Sequence, residues 1–208
     1  MGKFFDIQDL KPKPFEKGEE SGLSTKETNS KSLRIRFDEM HEQKIATIKM
    51  LCGRLPEENE VFFLESTNSF NAFTFIVYLI KHAGRIDDLF IATYSINTRI
   101  LDSLSSRIRN NEIGDICLYI AESIRYRMPK VKDQLDMMIK SMDNFQVEYA
   151  WTHKKVMAAR VGDSYYVIEG SGNFSENSAE EQYIFMRSKR IYEFRTGYTK
   201  WMALVVSA

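Results

Sequence analysis

The amino-acid sequence predicts an α/β fold with a mixed, largely parallel central sheet flanked by helices on both faces. Two observations carry this. From Glu60 to Met142, short apolar runs alternate with segments of helical period, the pattern of parallel strands joined by crossover helices. After Asn144 the strand-like runs follow one another too closely for such crossovers, so that part of the sheet must pair antiparallel.

The elements follow in order. Asp38 to Leu55 reads as a helix, stopped at Arg54-Leu55-Pro56. Glu60 to Ser66 contains Val61-Phe62-Phe63-Leu64, a short buried strand. Asn68 to His82 is an apolar helix ended by Ala83-Gly84, with Phe70, Phe73, Phe75, Tyr78, Leu79 and Ile80 expected in the core. The run DLFIATYS at 88–95 is the next strand. Asn97 is a helix cap, because its side chain can accept a bond from a first-turn N–H, and Ile100, Leu101, Leu104 and Ile108 form one helical stripe. DICLYIAE at 115–122 is a third strand, and Pro129 to Met142 a helix with Leu135, Met138, Ile139 and Met142 on one face. Four strands are expected next: Gln146 to Thr152, Lys155 to Val161, Tyr165 to Glu169 and Gln182 to Ser188. A last helix is expected from Lys189 to about Val205.

The chain has 208 residues, 43% hydrophobic and 28% charged, which suits one globular domain, expected over 33–208. Lys11 to Ser32 has almost no large apolar residue to offset the entropy of ordering it. Residues 1–32 are therefore expected to be a disordered or loosely docked tail. No run of apolar residues is long enough to span a bilayer and Met1 to Leu10 carries Asp6 and Asp9, so a cytoplasmic protein with no membrane partner is expected. The 29 basic and 29 acidic side chains cancel, which excludes a uniformly cationic coat for nucleic acid and makes any anion site local. Cys52 and Cys117 lie among apolar neighbours and read as plain buried thiols.

The densest chemical signal is Thr152-His153-Lys154-Lys155, followed past Gly162-Asp163 by Gly170-Ser171-Gly172-Asn173. If Gly162 and Asp163 form a two-residue hairpin, Val161 faces Ser164, and the ladder runs back to set Lys155 opposite Gly170 and His153 opposite Gly172. His153 and Lys155 then project to one face beside Ser171 and Asn173. An imidazole, an ammonium, a hydroxyl and a carboxamide at one sheet end, with Gly170 and Gly172 leaving backbone open, suit a phosphate. No acidic cluster has metal-ligand spacing, so neither a metal nor another cofactor is expected.

These residues resemble the phospholipase D superfamily, whose mark is His-x-Lys followed by Gly-Ser-x-Asn. The match is HKK at 153–155 and GSGN at 170–173, and it extends over about Glu60 to Ser188, where VFFLES, DLFIATYSINTRILDSL and DICLYIAES look like the first half of a single-motif phosphodiesterase such as the small bacterial endonucleases. The resemblance implies a phospholipase D-like fold and a metal-independent phosphodiesterase acting on DNA or RNA. It makes His153 the nucleophile that forms a phosphohistidine, and Lys155 and Asn173 the phosphate ligands. Ser171 supports the histidine or the phosphate. Glu181, with Glu180 close behind, matches the acidic residue that orients the histidine. One motif copy implies a homodimer with the site on its twofold axis. Gly170, Gly172 and Lys154 are expected to contact the phosphate, and Arg125 and Arg127, beyond the third strand, to steer a polyanion toward it.

Arg160 departs from the pattern, standing where the superfamily carries Asp. Alternation along the strand turns it away from the face of His153. A catalytically inactive nucleic-acid-binding module is the alternative it raises, and a phospholipid phosphodiesterase or transferase is a third reading. The basic end, Arg187, Lys189, Arg190, Arg195 and Lys200 with Tyr192, Tyr198 and Trp201, suits either nucleic-acid contact or helix packing.

Overall fold

A computed structural model describes residues 47–49, 52–67, 71–175 and 180–197. The expected tail, Phe70, and Tyr198, Lys200 and Trp201 lie outside the described residues, as do most of the first expected helix and the last one beyond residue 197. Helical backbone at 47–49 and 52 ends at Gly53, whose φ of 69° is left-handed.

Seven strands form one sheet: β1 Val61–Thr67, β2 Ile86–Thr93, β3 Ile113–Ala121, β4 Phe145–Ala150, β5 Val156–Val161, β6 Ser164–Gly170 and β7 Glu180–Arg187. Among the described residues five further helices accompany them: α1 Ala72–Ala83, α2 Thr98–Arg109, α3 Ile124–Arg127, α4 Pro129–Ser141 and α5 Lys189–Thr196. The spatial order is β1-β7-β6-β5-β2-β3-β4. β2, β3 and β4 are parallel, and every other neighbouring pair is antiparallel, so β1, β2, β3, β4 and β6 run one way and β5 and β7 the other. The α/β class and the mixed sheet are as expected.

Both faces of the sheet are covered. On one, Leu89, Ile91, Leu118, Ile120, Met157, Ile168 and Phe185 meet α1, α2 and α4 in the main core; on the other, Phe90, Ala92, Cys117, Val156, Ala158 and Val167 meet Tyr192 of α5. That two-sided burial explains why β2 reads as a continuous apolar run. α1 is buried from Ala72 through Leu79 and stops at Gly84, whose φ of 108° suits glycine. α2 starts as expected, with Asn97 Oδ1 accepting from the N–H of Ile100 at 2.9 Å. Pro129 is the first residue of α4, where its missing N–H costs nothing.

The β5–β6 hairpin has the expected register, with Val161 opposite Ser164 across Gly162-Asp163, and Gly162 takes the left-handed φ of 54° that such a turn requires. Two boundaries differ. β4 begins at Phe145 and ends at Ala150 because its partner β3 ends at Ala121, so Trp151 to Lys155 is a connecting segment and not strand. α3 is a single turn that the sequence pattern does not reveal.

Candidate active site

The carboxyl ends of β2, β3, β4 and β6 and the amino ends of β5 and β7 lie at one end of the sheet, and the motif residues gather there. The ladder reaches as far as the N–H of Gly170, which donates to the carbonyl of Lys155 at 3.2 Å. It does not continue to His153 and Gly172. The next N–H, of Ser171, turns instead to the carbonyl of Gln182 in β7 at 3.1 Å.

His153 is exposed in the segment leading into β5, and Lys155 is half-buried at its start. The Lys155 ammonium lies 3.1 Å from Nδ1 of His153 and donates to the carbonyl of the same residue at 3.1 Å. Burial pulls the Lys155 amine below the ordinary lysine value, partly countered by the carboxylate of Glu181. Ser171 Oγ donates to Glu181 Oε2 and accepts from the N–H of Gln182 at 3.1 Å. Glu181 thus touches Ser171 and acts electrostatically on Lys155; no described bond joins it to His153. Glu180 is exposed at the head of β7.

The loop after β6 is fixed at several points. Phe174 is buried and bridges to Ile96, the N–H of Asn97 donates to its carbonyl at 3.2 Å, and Asn71 Nδ2 donates to the carbonyl of Ser175 at 3.4 Å. Asn173 is held between these anchors, with its Oδ1 buried and unbonded among the described residues. The backbone of Gly170, expected to stay open, is taken up by the protein: a Cβ there would lie 2.2 Å from the carbonyl oxygen of Gln182, and its N–H already bonds Lys155. Gly172 is buried.

Three tyrosines at the ends of the parallel strands surround this cluster. The Tyr94 ring lies against His153 at 4.7 Å, tilted by 43°, and the Arg127 guanidinium lies 4.5 Å from the same ring. Arg125 lies 4.0 Å from the Tyr149 ring, and Lys154 lies 6.0 Å from that of Tyr119. Arg125, Arg127 and Lys154 therefore sit at the expected sheet end. The tyrosines were not singled out from sequence, although an aromatic at the carboxyl end of each parallel strand was the available signal.

Arg160 lies at the opposite end of β5, five residues below Lys155 or ~17 Å along a strand. It donates to Asp88, its register partner in β2, and to Asp87 at 3.3 Å. The basic end is likewise internally engaged, with Arg195 bidentate to Glu169 at 2.5 and 2.6 Å and Arg187 3.3 Å from Glu58. Among the described residues no helix is long and apolar enough to cross a membrane.

No protein-family model and no curated protein matches the chain. Among solved structures it is similar to polyphosphate kinase from Porphyromonas gingivalis (12% identity, TM-score 0.49, covering 68% of this chain and 26% of that one). It is also similar to phosphatidylserine synthase from Haemophilus influenzae (11%, 0.43, 65% and 36%). A third similar structure is TrmBL2, an archaeal chromatin protein whose structure shows a mode of DNA binding (6%, 0.45, 82% and 62%). The chain thus spans less than two thirds of the length of each.

Proposed function

We propose that the chain is a phospholipase D-type phosphodiesterase that cleaves DNA or RNA through a phosphohistidine on His153, without a metal ion, as a homodimer. The observation that carries this reading is the Lys155–His153 contact, a nucleophile and a cation held together at a sheet end near Ser171 and Glu181, with Asn173 two residues beyond Ser171.

A neutral imidazole has one lone pair, and here the Lys155 ammonium occupies it at Nδ1. An arriving phosphate draws the ammonium onto its own oxygens, with Asn173 donating a hydrogen bond from its Nδ2, and the freed histidine nitrogen attacks phosphorus. A P–N bond forms and a P–O bond breaks; the leaving alkoxide takes a proton from the histidine of the second copy. Water then attacks phosphorus, giving its proton to that second histidine as the P–N bond breaks and His153 is restored. Lys155 neutralises the oxygens on which charge builds, the part a divalent cation plays in metal-dependent phosphodiesterases. Ser171, fixed by Glu181 and Gln182, holds the loop that carries Asn173.

Arg160 does not bear against this reading, because it is an ion-pair residue remote from the cluster. The test is cleavage of plasmid and single-stranded DNA and of RNA in EDTA, with light scattering for mass and His153→Ala alongside. Metal-independent cleavage by a particle of twice the chain mass, lost in His153→Ala, is expected. Binding without turnover, or turnover surviving in His153→Ala, overturns the proposal.

A further inference from the structure

Trp151 is 98% exposed and Tyr126 is 78% exposed, large apolar side chains of the kind that a folded chain ordinarily covers. Both stand at the rim of the candidate site. Trp151 follows β4 directly and precedes His153 by two residues, a span of at most ~7 Å along the chain. Tyr126 lies in α3 between Arg125 and Arg127, and the N–H of Glu122 donates to the carbonyl of Ala150 at 2.9 Å, which ties the turn before α3 to the residue before Trp151. Arg125, Arg127, Lys130 and Lys154 occupy these two segments, and Glu122 is the one acid within 121–130 and 150–155.

We infer that Trp151 and Tyr126 are stacking platforms for unpaired bases and that the ligand of this rim is single-stranded nucleic acid. This rests on the phosphodiesterase reading, in that it names the strand form delivered to His153. The argument is one of complementarity. The guanidinium groups that cover Tyr94 and Tyr149 leave their N–H edges for phosphates, while the open rings of Trp151 and Tyr126 offer faces to bases. A duplex satisfies the cations equally well but hides its base faces in its own stack, so only an unpaired strand uses both halves of the surface. The second copy that the phosphodiesterase reading requires brings its own cations toward the same axis, where like charges are tolerated only with a polyanion between them, so the aromatics and the cations are satisfied together by a strand and not by protein alone.

The test uses the full chain carrying His153→Ala, so that binding is read apart from cleavage. Three probes are titrated by fluorescence anisotropy: a 12-nucleotide oligothymidylate, an abasic strand with the same phosphates, and a 12-base-pair duplex. Oligothymidylate is expected to bind about tenfold tighter than either of the others, and adding Trp151→Ala or Tyr126→Ala should remove most of that preference while leaving abasic binding and its salt slope unchanged. Equal affinity for oligothymidylate and the abasic strand, or for single strand and duplex, overturns the inference. So does a fall in particle mass on Trp151→Ala, which would make the rim an interface between copies. If the unmodified chain shows this base-dependent binding yet cleaves nothing, the stacking inference stands and the phosphodiesterase reading alone fails.

Discussion

The ammonium of Lys155 lies equally close, at 3.1 Å, to Nδ1 of His153 and to that residue's carbonyl oxygen. One cation therefore both masks the imidazole lone pair and fixes the backbone that carries it. Lys155→Met should lower kcat by about 10²- to 10³-fold, the scale for losing a preorganised electrostatic donor, and abolish inorganic phosphate binding measured by calorimetry. An unchanged thermal midpoint would show that the fold survives.

The pH dependence follows from the same lysine. Burial lowers its pKa and Glu181 raises it in part, and the protonated form is the one that neutralises phosphate. Activity should accordingly fall on the alkaline side at a pH below that of an ordinary lysine. In Glu181→Gln the supporting charge is gone, so the alkaline limb of kcat/KM should move to still lower pH, whereas Ser171→Ala, which leaves the carboxylate, should lower turnover without moving that limb as far.

The Tyr94 ring contacts both Arg127 and His153, which makes it a candidate positioning residue. Tyr94→Ala should reduce kcat by up to roughly tenfold, the worth of one aromatic contact, with KM little changed. Tyr94→Phe keeps the ring and should restore the rate. A change in KM alone would place Tyr94 on the substrate instead.

Arg160 and Asp88 form a charge pair across β5 and β2 at the end of the sheet remote from His153, with Asp87 adding a second carboxylate. Arg160→Asp, which completes the motif the sequence resembles, should destabilise the fold by about 2–3 kcal/mol, because it sets two carboxylates against the buried carboxylate of Asp88. Adding Asp88→Arg should recover at least half of that loss in denaturant melts, and turnover per folded molecule should be unaffected by either change.

The thiols should be inert. Burial pushes Cys52 up to about 11 and Cys117 up to about 12, so neither forms much thiolate at pH 8. Native protein should resist iodoacetamide at that pH, and both cysteines should label once it is unfolded.

What sequence alone revealed was local. Gly162-Asp163 between two alternating runs set the hairpin register, Asn97 set the start of α2, and the two motif halves became neighbours once that hairpin was drawn. What escaped depends on distant partners. Trp151 and Thr152 suit a strand, yet they are not one because β3 offers them nothing to pair with. A four-residue helix such as α3 is too short to display a period. The choice between Glu180 and Glu181 turned on which one meets Ser171, a contact between β7 and the loop after β6. Gly170 read as an opening for a ligand because the carbonyl that fills its space belongs to another strand.

The strand order also dictates when this site can come into being. Among the described residues β7 is the one strand that pairs with β1, so Val61 waits for Met186, and the first strand cannot form that pairing until nearly all the described chain has left the ribosome. The same late strand brings Glu181 to Ser171. A nascent or truncated chain ending before residue 180 therefore leaves β1 without a partner strand and β6 with an open edge, lacks the Glu181 that meets Ser171, and is prone to aggregate. On the phosphodiesterase reading, the competence to cut a strand arrives only once β7 has been made.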